Sequence, residues 1–406
     1  MKLVYRKTLK TTKQNYYSKL VNESDNKSKR IWSIVSDVTN RNPKHSTVPD
    51  FKADDMNSFF INNVDDIVNK LPQSNDALKF LSDVTKPNAS FDFKHVSVED
   101  TYSAIIKLNN SSSLDGYGIS VKLLKLSAYF ICELSAHIYN YCLDMSLFPA
   151  AFKYVKIIPV FKKGSKLDLN NYRPISIIPA MSKVFESLLN RQIYDYFEEN
   201  SLFSETQFGF RSSHCTIDAV KSLITRCFDS LESGKFISSR VLDLSKAFET
   251  VSHNILVKKL SYYGFSSSST KFLNSYLSNR YQYVYIHPGN ISEYKLLKYG
   301  VPQGSVLGPV LFIIYINDLP SFIRNECLES YMFADDLAIN VICETNNTIN
   351  MKVENISDKV KTWCSANNFS LNTNKTENIN FNVGLSSTEN SVRFLGIHLE
   401  SGLGWL

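Results

Sequence analysis

The chain of 406 residues is 43% apolar and 21% charged, with 14 glycines and 12 prolines, which excludes disordered, collagen-like and low-complexity proteins. Its length is typical of two or three core-bearing units, at roughly 100 to 200 residues per domain. The formal net charge of +6 is concentrated in residues 1–50, where 11 lysines and arginines stand against four acidic residues. This basic leading segment predicts either a solvated helical surface or a segment that follows nucleic-acid phosphates.

Cysteine usage and hydropathy limit the cellular setting. The seven cysteines contain no CxxC pair, so the sequence predicts neither a disulfide framework nor a zinc site. We expect an intracellular location, in the nucleus or the cytoplasm. The longest apolar run, Val306 to Ile316, is about half the roughly 20 residues that a membrane helix needs. No membrane partner is therefore expected.

Helical periodicity dominates the first half of the chain. The predicted helices are Lys2–Tyr17, Lys29–Val38, Asp54–Leu71, Val121–Leu147, Ser182–Phe197 and Thr216–Leu231, the last with Thr216 as its cap. Tyr154–Phe161 and Ile175–Ile178 are predicted to pair as a β-hairpin with a basic tip at Lys162–Lys166. Polar loops rich in Asn, Ser and Pro place a candidate domain boundary near residue 100.

The second half mixes strands with helices irregularly. The predicted strands are Phe236–Leu244, Tyr281–Ile286, Tyr294–Tyr299, Leu328–Phe333, Ala338–Cys343, Glu377–Val383 and Ser391–Leu399. The predicted helices are His253–Tyr263, Thr270–Leu277, Ser305–Leu319 and Asn346–Asn367. This order favours an α+β fold, in which an antiparallel sheet is backed by helices.

Three aspartates follow apolar strands. Asp243 ends one strand, and Asp335 with Asp336 forms the turn between two others. Each motif alone is more typical of acidic residues that cap strand ends. Three carboxylates brought together, however, repel one another unless cations share them. Two divalent ions can clamp both oxygens of an in-line phosphoryl displacement, and oxygen ligands suit Mg²⁺. The pattern therefore predicts a two-metal site.

Seven motifs follow one another along the chain. They are NNYRPISIIPAMSKVFESLL (170–189), QFGFRSSHCTIDAV (207–220), VLDLSKAFETVSH (241–253), YGVPQGSVLGPVLFIIYINDL (299–319), FADD (333–336), LNTNKT (371–376) and FLGI (394–397). Their order and spacing resemble those of the reverse transcriptases of non-LTR retrotransposons, the LINE-like elements, over roughly residues 100–406. GVPQGSVLGP next to FADD is the most specific combination. Tyr5 to Trp32 is also similar to the segment that joins endonuclease and polymerase in such elements.

The resemblance implies a right-hand polymerase with fingers and an antiparallel palm sheet backed by helices. Residues 1–100 would form a helical, basic leading segment, residues 101–235 mainly the fingers, and residues 236–390 mainly the palm with the catalytic carboxylates. Residues 391–406 would form a primer-grip-like strand and the truncated start of a thumb. We therefore expect a largely absent thumb and a chain that is a piece of a longer element.

The same resemblance implies that Asp243, Asp335 and Asp336 bind two Mg²⁺ ions, for which Mn²⁺ can substitute. The carbonyl of Leu244 would complete one metal site. Phe248 matches the aromatic residue under the sugar of the incoming nucleotide, where a ring fills the space of a 2′-hydroxyl. Taken in isolation, Phe248 is more typical of a core residue.

Nucleotide contacts are implied on two further loops. Lys162, Lys163 and Arg173 bracket the hairpin tip, where cations neutralise a triphosphate. Gln303 and Gly304 open the predicted Ser305 helix after a proline turn, so that backbone approaches template and nucleotide closely.

Four more polar residues lie within these motifs. Lys375 matches the position expected to protonate the leaving pyrophosphate. Arg211 is expected to bind the template backbone or, alternatively, an internal carboxylate. His214 and His253 are interpreted as structural, because no serine or cysteine nucleophile motif accompanies them.

The expected activity is RNA-directed DNA polymerisation, in which the 3′-hydroxyl of a DNA primer on an RNA template attacks the α-phosphate of a dNTP. The three carboxylates, Gln303 and Lys375 favour it. Glu249, which stands where the family usually has Asp, and the truncation favour an alternative: a catalytically weakened relic or RNA-binding protein that retains the polymerase fold. A maturase-like or telomerase-like polymerase shares the chemistry but has no support from the leading segment.

Overall fold

The computed structural model describes residues 2–24, 27–38, 51–72, 76–324, 328–381 and 391–402. The chain divides into two compact units, Met1–Phe51 and Lys52–Leu406. The first unit contains the helices α1 (Lys2–Asn22) and α2 (Lys27–Val38). Within the described ranges, no helix has the length and apolarity to cross a bilayer.

The second unit mixes helices and strands, which confirms the predicted α+β class. Its helices are α3 (Ala53–Asn69), α4 (Val98–Lys107), α5 (Val121–Leu126), α6 (Ala128–Asp144), α7 (Ala180–Glu199), α8 (Thr216–Glu232), α9 (Ala247–Thr250), α10 (His253–Tyr262), α11 (Ser267–Leu277), α12 (Gly308–Tyr315), α13 (Leu319–Ile323) and α14 (Ile349–Ala366). Its strands are β1 (Tyr154–Phe161), β2 (Tyr172–Ile177), β3 (Phe236–Asp243), β4 (Arg280–His287), β5 (Asn290–Ile291), β6 (Lys295–Leu297), β7 (Leu328–Phe333), β8 (Asp336–Cys343), β9 (Glu377–Phe381), β10 (Ser391–Phe394) and β11 (Ile397–Glu400).

A four-stranded antiparallel sheet in the order β7-β8-β3-β9 forms the centre of the second unit. Alternate residues of β3 enter different cores, as expected of a sheet covered on both faces. Val241 packs with Leu223 of α8, whereas Leu242 belongs to the cluster that contains Val360 of α14. The predicted arrangement, an antiparallel sheet backed by helices, is confirmed.

The second sheet brings distant segments together. The β1–β2 hairpin forms as predicted, with Val160 opposite Arg173. β1 also pairs in parallel with β4, so that Tyr154 lies opposite Tyr281, a pairing that the sequence did not indicate. β4 pairs with β6 in the antiparallel sense. The predicted strand Ser391–Leu399 is instead the hairpin β10–β11, because positive φ angles at Leu395 and Gly396 turn the chain.

Several predicted helix boundaries were wrong. The helix predicted over residues 121–147 is divided at Ser127 into α5 and α6. The helix predicted from Ser305 starts only at Gly308, with Leu307 as its N-cap, and the Ser305 hydroxyl in the preceding turn accepts the Gly308 N–H at 2.9 Å. The cap of α8 is Cys215 rather than Thr216, and the Cys215 N–H donates to Asp218 at 2.7 Å.

The ion pair between Lys259 and Asp318 is fully buried in the second unit. The Lys259 ammonium on α10 donates to both carboxylate oxygens of Asp318 at 2.8 Å and to the Tyr315 carbonyl at 2.7 Å. Both charged side chains are fully buried. The Trp363 ring of α14 lies 5.2 Å from the ammonium. The pair therefore joins α10, the α12–α13 connection and α14 underneath the central sheet.

Candidate active site

The three aspartates lie at one end of the central sheet. Asp243, the last residue of β3, lies directly opposite Asp336, the first residue of β8, in the antiparallel register. Side chains of directly opposed residues project from the same face of a sheet. Asp335 occupies the turn between β7 and β8. Asp243 and Asp335 line a cleft of about 580 Å³.

The turn that carries Asp335 is held by the QFGF motif. Gln207 Oε1 accepts the N–H groups of Gly209 at 2.8 Å and Ala334 at 3.2 Å. Ala334 has a φ of 57°, an uncommon backbone conformation for a residue with a side chain. A Cβ atom at Gly209 would lie 2.3 Å from the Ala334 nitrogen, so only glycine permits this approach. Sequence reasoning missed this bracing role, although the motif itself was singled out.

The aspartates carry more negative charge than their neighbours balance. Desolvation raises the pKa of Asp336 to about 6, and repulsion from Asp335 and Asp243 contributes to the rise. Partial burial, followed by the Asp243 charge, raises the pKa of Asp335 as well. Lys375 Nζ lies 3.1 Å from Asp243 Oδ2, and its charge opposes the rise in the pKa of Asp335 and of Asp336.

Asn372 fixes the position of Asp243. Its side-chain amide donates to Asp243 Oδ2 at 3.1 Å, and its backbone N–H donates to the Asp243 carbonyl at 2.8 Å.

Across the described ranges, no three His, Cys, Asp or Glu side chains are close enough together to hold an ion. Three hard oxygen donors, two of which (Asp335 and Asp336) have raised pKa values, nevertheless fit a divalent cation by their chemistry. The Leu244 carbonyl belongs to this end of β3, and Leu244 lines the cleft.

The wall of the cleft next to Asp243 contains an aromatic ring, Phe248, and a side-chain amide, Gln303. Phe248 on α9 is half-buried, stacks on Phe312 with ring centroids 4.1 Å apart and lines the cleft. Its carbonyl accepts the Val301 N–H at 2.9 Å, which ties α9 to the loop that carries Gln303. Gln303 Nε2 in turn donates to Glu249 Oε1 at 2.8 Å. Phe248 is therefore a packed ring that also lines the cleft, and its place under the sugar of a nucleotide stays a prediction.

The loop at Gly304 lies close to the β1–β2 hairpin. Gly304 has a φ of 85°, and a Cβ atom there would lie 3.0 Å from the Ser176 carbonyl oxygen. Glu186 of α7 holds the following turn, because its carboxylate accepts the N–H groups of Val306 at 2.9 Å and Leu307 at 3.3 Å. Burial raises the pKa of this fully buried carboxyl. No local pattern in the sequence indicated this role of Glu186, since the turn that it holds is about 120 residues away.

The basic residues of the hairpin divide into two groups. Lys162 and Arg173 line the cleft, together with Lys375 from the other side. Lys163 is exposed and does not line the cleft. The structure thus brings two of the three predicted triphosphate contacts to the aspartates' cleft.

Arg211 is held by an internal carboxylate. Its guanidinium donates to both oxygens of Glu198, at 3.0 and 2.9 Å, and to the Ser204 carbonyl at 3.1 Å. This geometry supports the internal-carboxylate alternative over the template contact. His253 Nε2 lies 2.7 Å from the Gly300 carbonyl. His214 is half-buried, with Nδ1 2.9 Å from the Ser212 carbonyl and its ring 5.7 Å from that of Phe208.

Comparisons with known proteins place these residues in a recognised family. A family model described as reverse transcriptase (RNA-dependent DNA polymerase) matches residues 160–399. The probable RNA-directed DNA polymerase from transposon X-element of Drosophila melanogaster is 30% identical over 61% of this chain and 27% of its own length. The RNA-directed DNA polymerase from mobile element jockey of Drosophila funebris is 29% identical over 66% of this chain and 31% of its own length.

A solved structure of apo telomerase from Candida tropicalis, truncated from its C-terminal domain, is 15% identical with a TM-score of 0.46. This likeness covers 73% of this chain and 62% of that one. The chain spans about a third of the length of the curated relatives it matches.

Proposed function

The chain belongs to the reverse transcriptase (RNA-dependent DNA polymerase) family, and we propose that it extends a DNA primer on an RNA template with deoxynucleotides. The resemblance inferred from the motifs is thereby confirmed at the level of the family. The activity and its partners are our proposal for this chain, supported above all by one observation. Asp243 and Asp336 face each other across two strands, with Asp335 in the adjoining turn.

In this proposal Asp243, Asp335 and Asp336 hold two Mg²⁺ ions. When bound, such a pair activates the primer hydroxyl and neutralises charge on the phosphate that is attacked. Divalent metal ions are general in the family, whereas the number and identity of the ions belong to the proposal. The raised pKa values of Asp335 and Asp336 support it, because a site short of positive charge gains most from a cation.

Other cleft residues bind and orient the nucleotide. Lys162 and Arg173 supply positive charge at the hairpin, on the side where a triphosphate enters the cleft. Gln303 contacts the nucleotide through an amide whose orientation Glu249 fixes. Lys375 carries a proton at Nζ beside Asp243, where the leaving pyrophosphate requires one.

The direct test is primer extension by the purified chain. With a DNA primer annealed to an RNA template, Mg²⁺ and dNTPs, we expect added nucleotides, and a chelator should abolish the addition. A folded chain that binds the primer–template but adds no nucleotide would contradict the proposal and support the relic alternative. That alternative is not favoured here, because all three carboxylates are present at one end of the central sheet and two of them, Asp243 and Asp335, line the cleft.

Phe248 is expected to control which sugar the nucleotide carries. Phe248→Ala opens space in the cleft, so ribonucleotide incorporation should rise relative to deoxynucleotide incorporation by about tenfold to a hundredfold, the range of one steric contact. The measurement is the ratio of the two incorporation efficiencies in variant and parent. Because Phe248 also stacks on Phe312, the variant will lose some stability.

Phe322→Ala provides the matched control for that loss. Phe322 is also half-buried and packs on Phe80 at 4.6 Å, but it does not line the cleft. It should lower the melting temperature without changing the incorporation ratio. An unchanged ratio in a folded, active Phe248→Ala chain would remove Phe248 from the nucleotide site.

A further inference from the structure

The outward side of α6 carries a row of large apolar side chains. Phe130 is 81% exposed, Leu134 63% and Tyr141 60%. The full row, which we call the apolar stripe, consists of Leu126, Phe130, Leu134, Ile138, Tyr141 and Met145, all of them exposed. Residues at spacings of three and four lie on one side of a helix. The stripe therefore begins at Leu126, the last residue of α5, and runs along α6 for about four turns to Met145.

The apolar stripe is additional to the side of α6 that packs into the protein. Cys132, Ala136 and Tyr139 are buried on the opposite side of the same helix. A surface helix normally has a polar outer side, and a helix that is apolar on both sides is normally buried on both. Neighbouring α4 extends the surface with exposed Tyr102 and Ile106. Contiguous exposed patches of this size mark interaction sites in soluble proteins.

We propose that two copies of this chain associate through the apolar stripe, with their α6 helices antiparallel about a two-fold axis. A single apolar helix side is self-complementary under such an axis, which is the commonest symmetry of soluble oligomers. The area suffices. At about 200 Å² for a fully exposed large side chain, the exposed fractions of the stripe and of α4 reach on the order of 1,000 Å² per copy, against about 800 Å² per partner in a standard interface.

The charges next to the stripe fit this orientation. Lys122 and Lys125 lie on α5, before the start of α6, whereas Asp144 is the last residue of α6. Antiparallel pairing places the basic end of one copy next to the acidic end of the other, at both ends of the interface. Parallel pairing would bring like charges together, which costs affinity.

The proposed interface is separate from the nucleotide site. No stripe residue lines the cleft that contains Asp243 and Asp335. Substitutions in the stripe should therefore change association without a direct effect on the chemistry. This separation allows the interface to be tested whether or not the chain is an active polymerase.

The test compares stripe variants with a matched surface control by sedimentation velocity. The parent should be dimeric at about 10 µM, a concentration at which interfaces of standard size are commonly populated. The double variant Phe130→Asp with Leu134→Asp should be monomeric. The control, Ile217→Asp with Met351→Asp, changes two apolar side chains that are each 66% exposed elsewhere and should stay dimeric.

Charge reversal tests the orientation. Lys122→Glu with Lys125→Glu should weaken the dimer, and adding Asp144→Lys should restore it, because each reversed end then meets its complement again. A monomeric parent at this concentration overturns the proposal, as does a dimer that persists in the stripe variant. A monomeric parent whose RNA binding falls on stripe substitution would instead assign this surface to nucleic acid.

Discussion

The Asp335→Asn chain is expected to lose deoxynucleotide incorporation on the order of a thousandfold or more, the loss that several kcal/mol of charge stabilisation implies. Asp335 lies in the turn beside Asp243 and Asp336, and its carboxylate is one of three donors for the proposed ions. Asparagine keeps the shape of the side chain and removes its charge. The measurement is single-nucleotide addition by variant and parent under the same Mg²⁺ concentration.

Stability separates this loss from unfolding. Since burial and the Asp243 charge raise the pKa of Asp335, ionisation of this carboxyl is less favourable in the folded chain than in the unfolded one. The variant should therefore melt at the same temperature as the metal-free parent or higher. Mg²⁺ should raise the melting temperature of the parent by mass action, and the variant less. Asp358→Asn, at an exposed site on α14, is the control and should change neither quantity. Normal incorporation by folded Asp335→Asn would refute the metal assignment.

Lys259→Met is expected to lower the free energy of unfolding by about 3 to 5 kcal/mol, because it leaves the Asp318 carboxylate buried without a partner. No solvent reaches either side chain of the pair. The Tyr315 carbonyl also loses its donor. Denaturant unfolding followed by tryptophan fluorescence measures the change, and Trp363 lies close enough to report on it.

The double variant tests whether the pair, rather than packing alone, accounts for the loss. Lys259→Met with Asp318→Leu removes both charges and should recover most of the stability, since apolar replacements of a buried pair are often neutral or stabilising. The exposed Lys361–Asp358 pair, at 2.9 Å, is the control, and Lys361→Met should cost less than about 1 kcal/mol. A double variant as unstable as the sum of its single changes would contradict this account.

Local patterns predicted the parts of the site that lie within one or two elements. The apolar run that ends at Asp243 and the acidic turn at Asp335 are visible in the sequence, because strands alternate and tight turns need particular residues. The hairpin that carries Arg173 was found in the same way. The roles assigned to these residues stay predictions, while their positions in one cleft follow from the structure.

Contacts between segments that are distant in the chain could not be predicted from the sequence. Glu186 holds a turn about 120 residues away, and Lys259 pairs with Asp318 from another helix. Neither contact has a periodic or spacing signal, because only the tertiary fold brings the partners together. Arg211 illustrates the same limit. Its motif was visible, but the structure was needed to identify Glu198 as its partner.

The parallel pairing of β1 with β4 has a consequence for synthesis of the chain. Tyr154 must wait for Tyr281, about 130 residues later, before the β1 edge is covered. The hairpin is complete at Ile177, so at roughly 5 to 20 residues per second it presents an unpaired strand edge for roughly 5 to 20 s. Open edges of this kind pair with other chains. Slower translation between β2 and β4 should therefore lengthen the period in which nascent chains aggregate, and holding chaperones should raise the yield of folded protein.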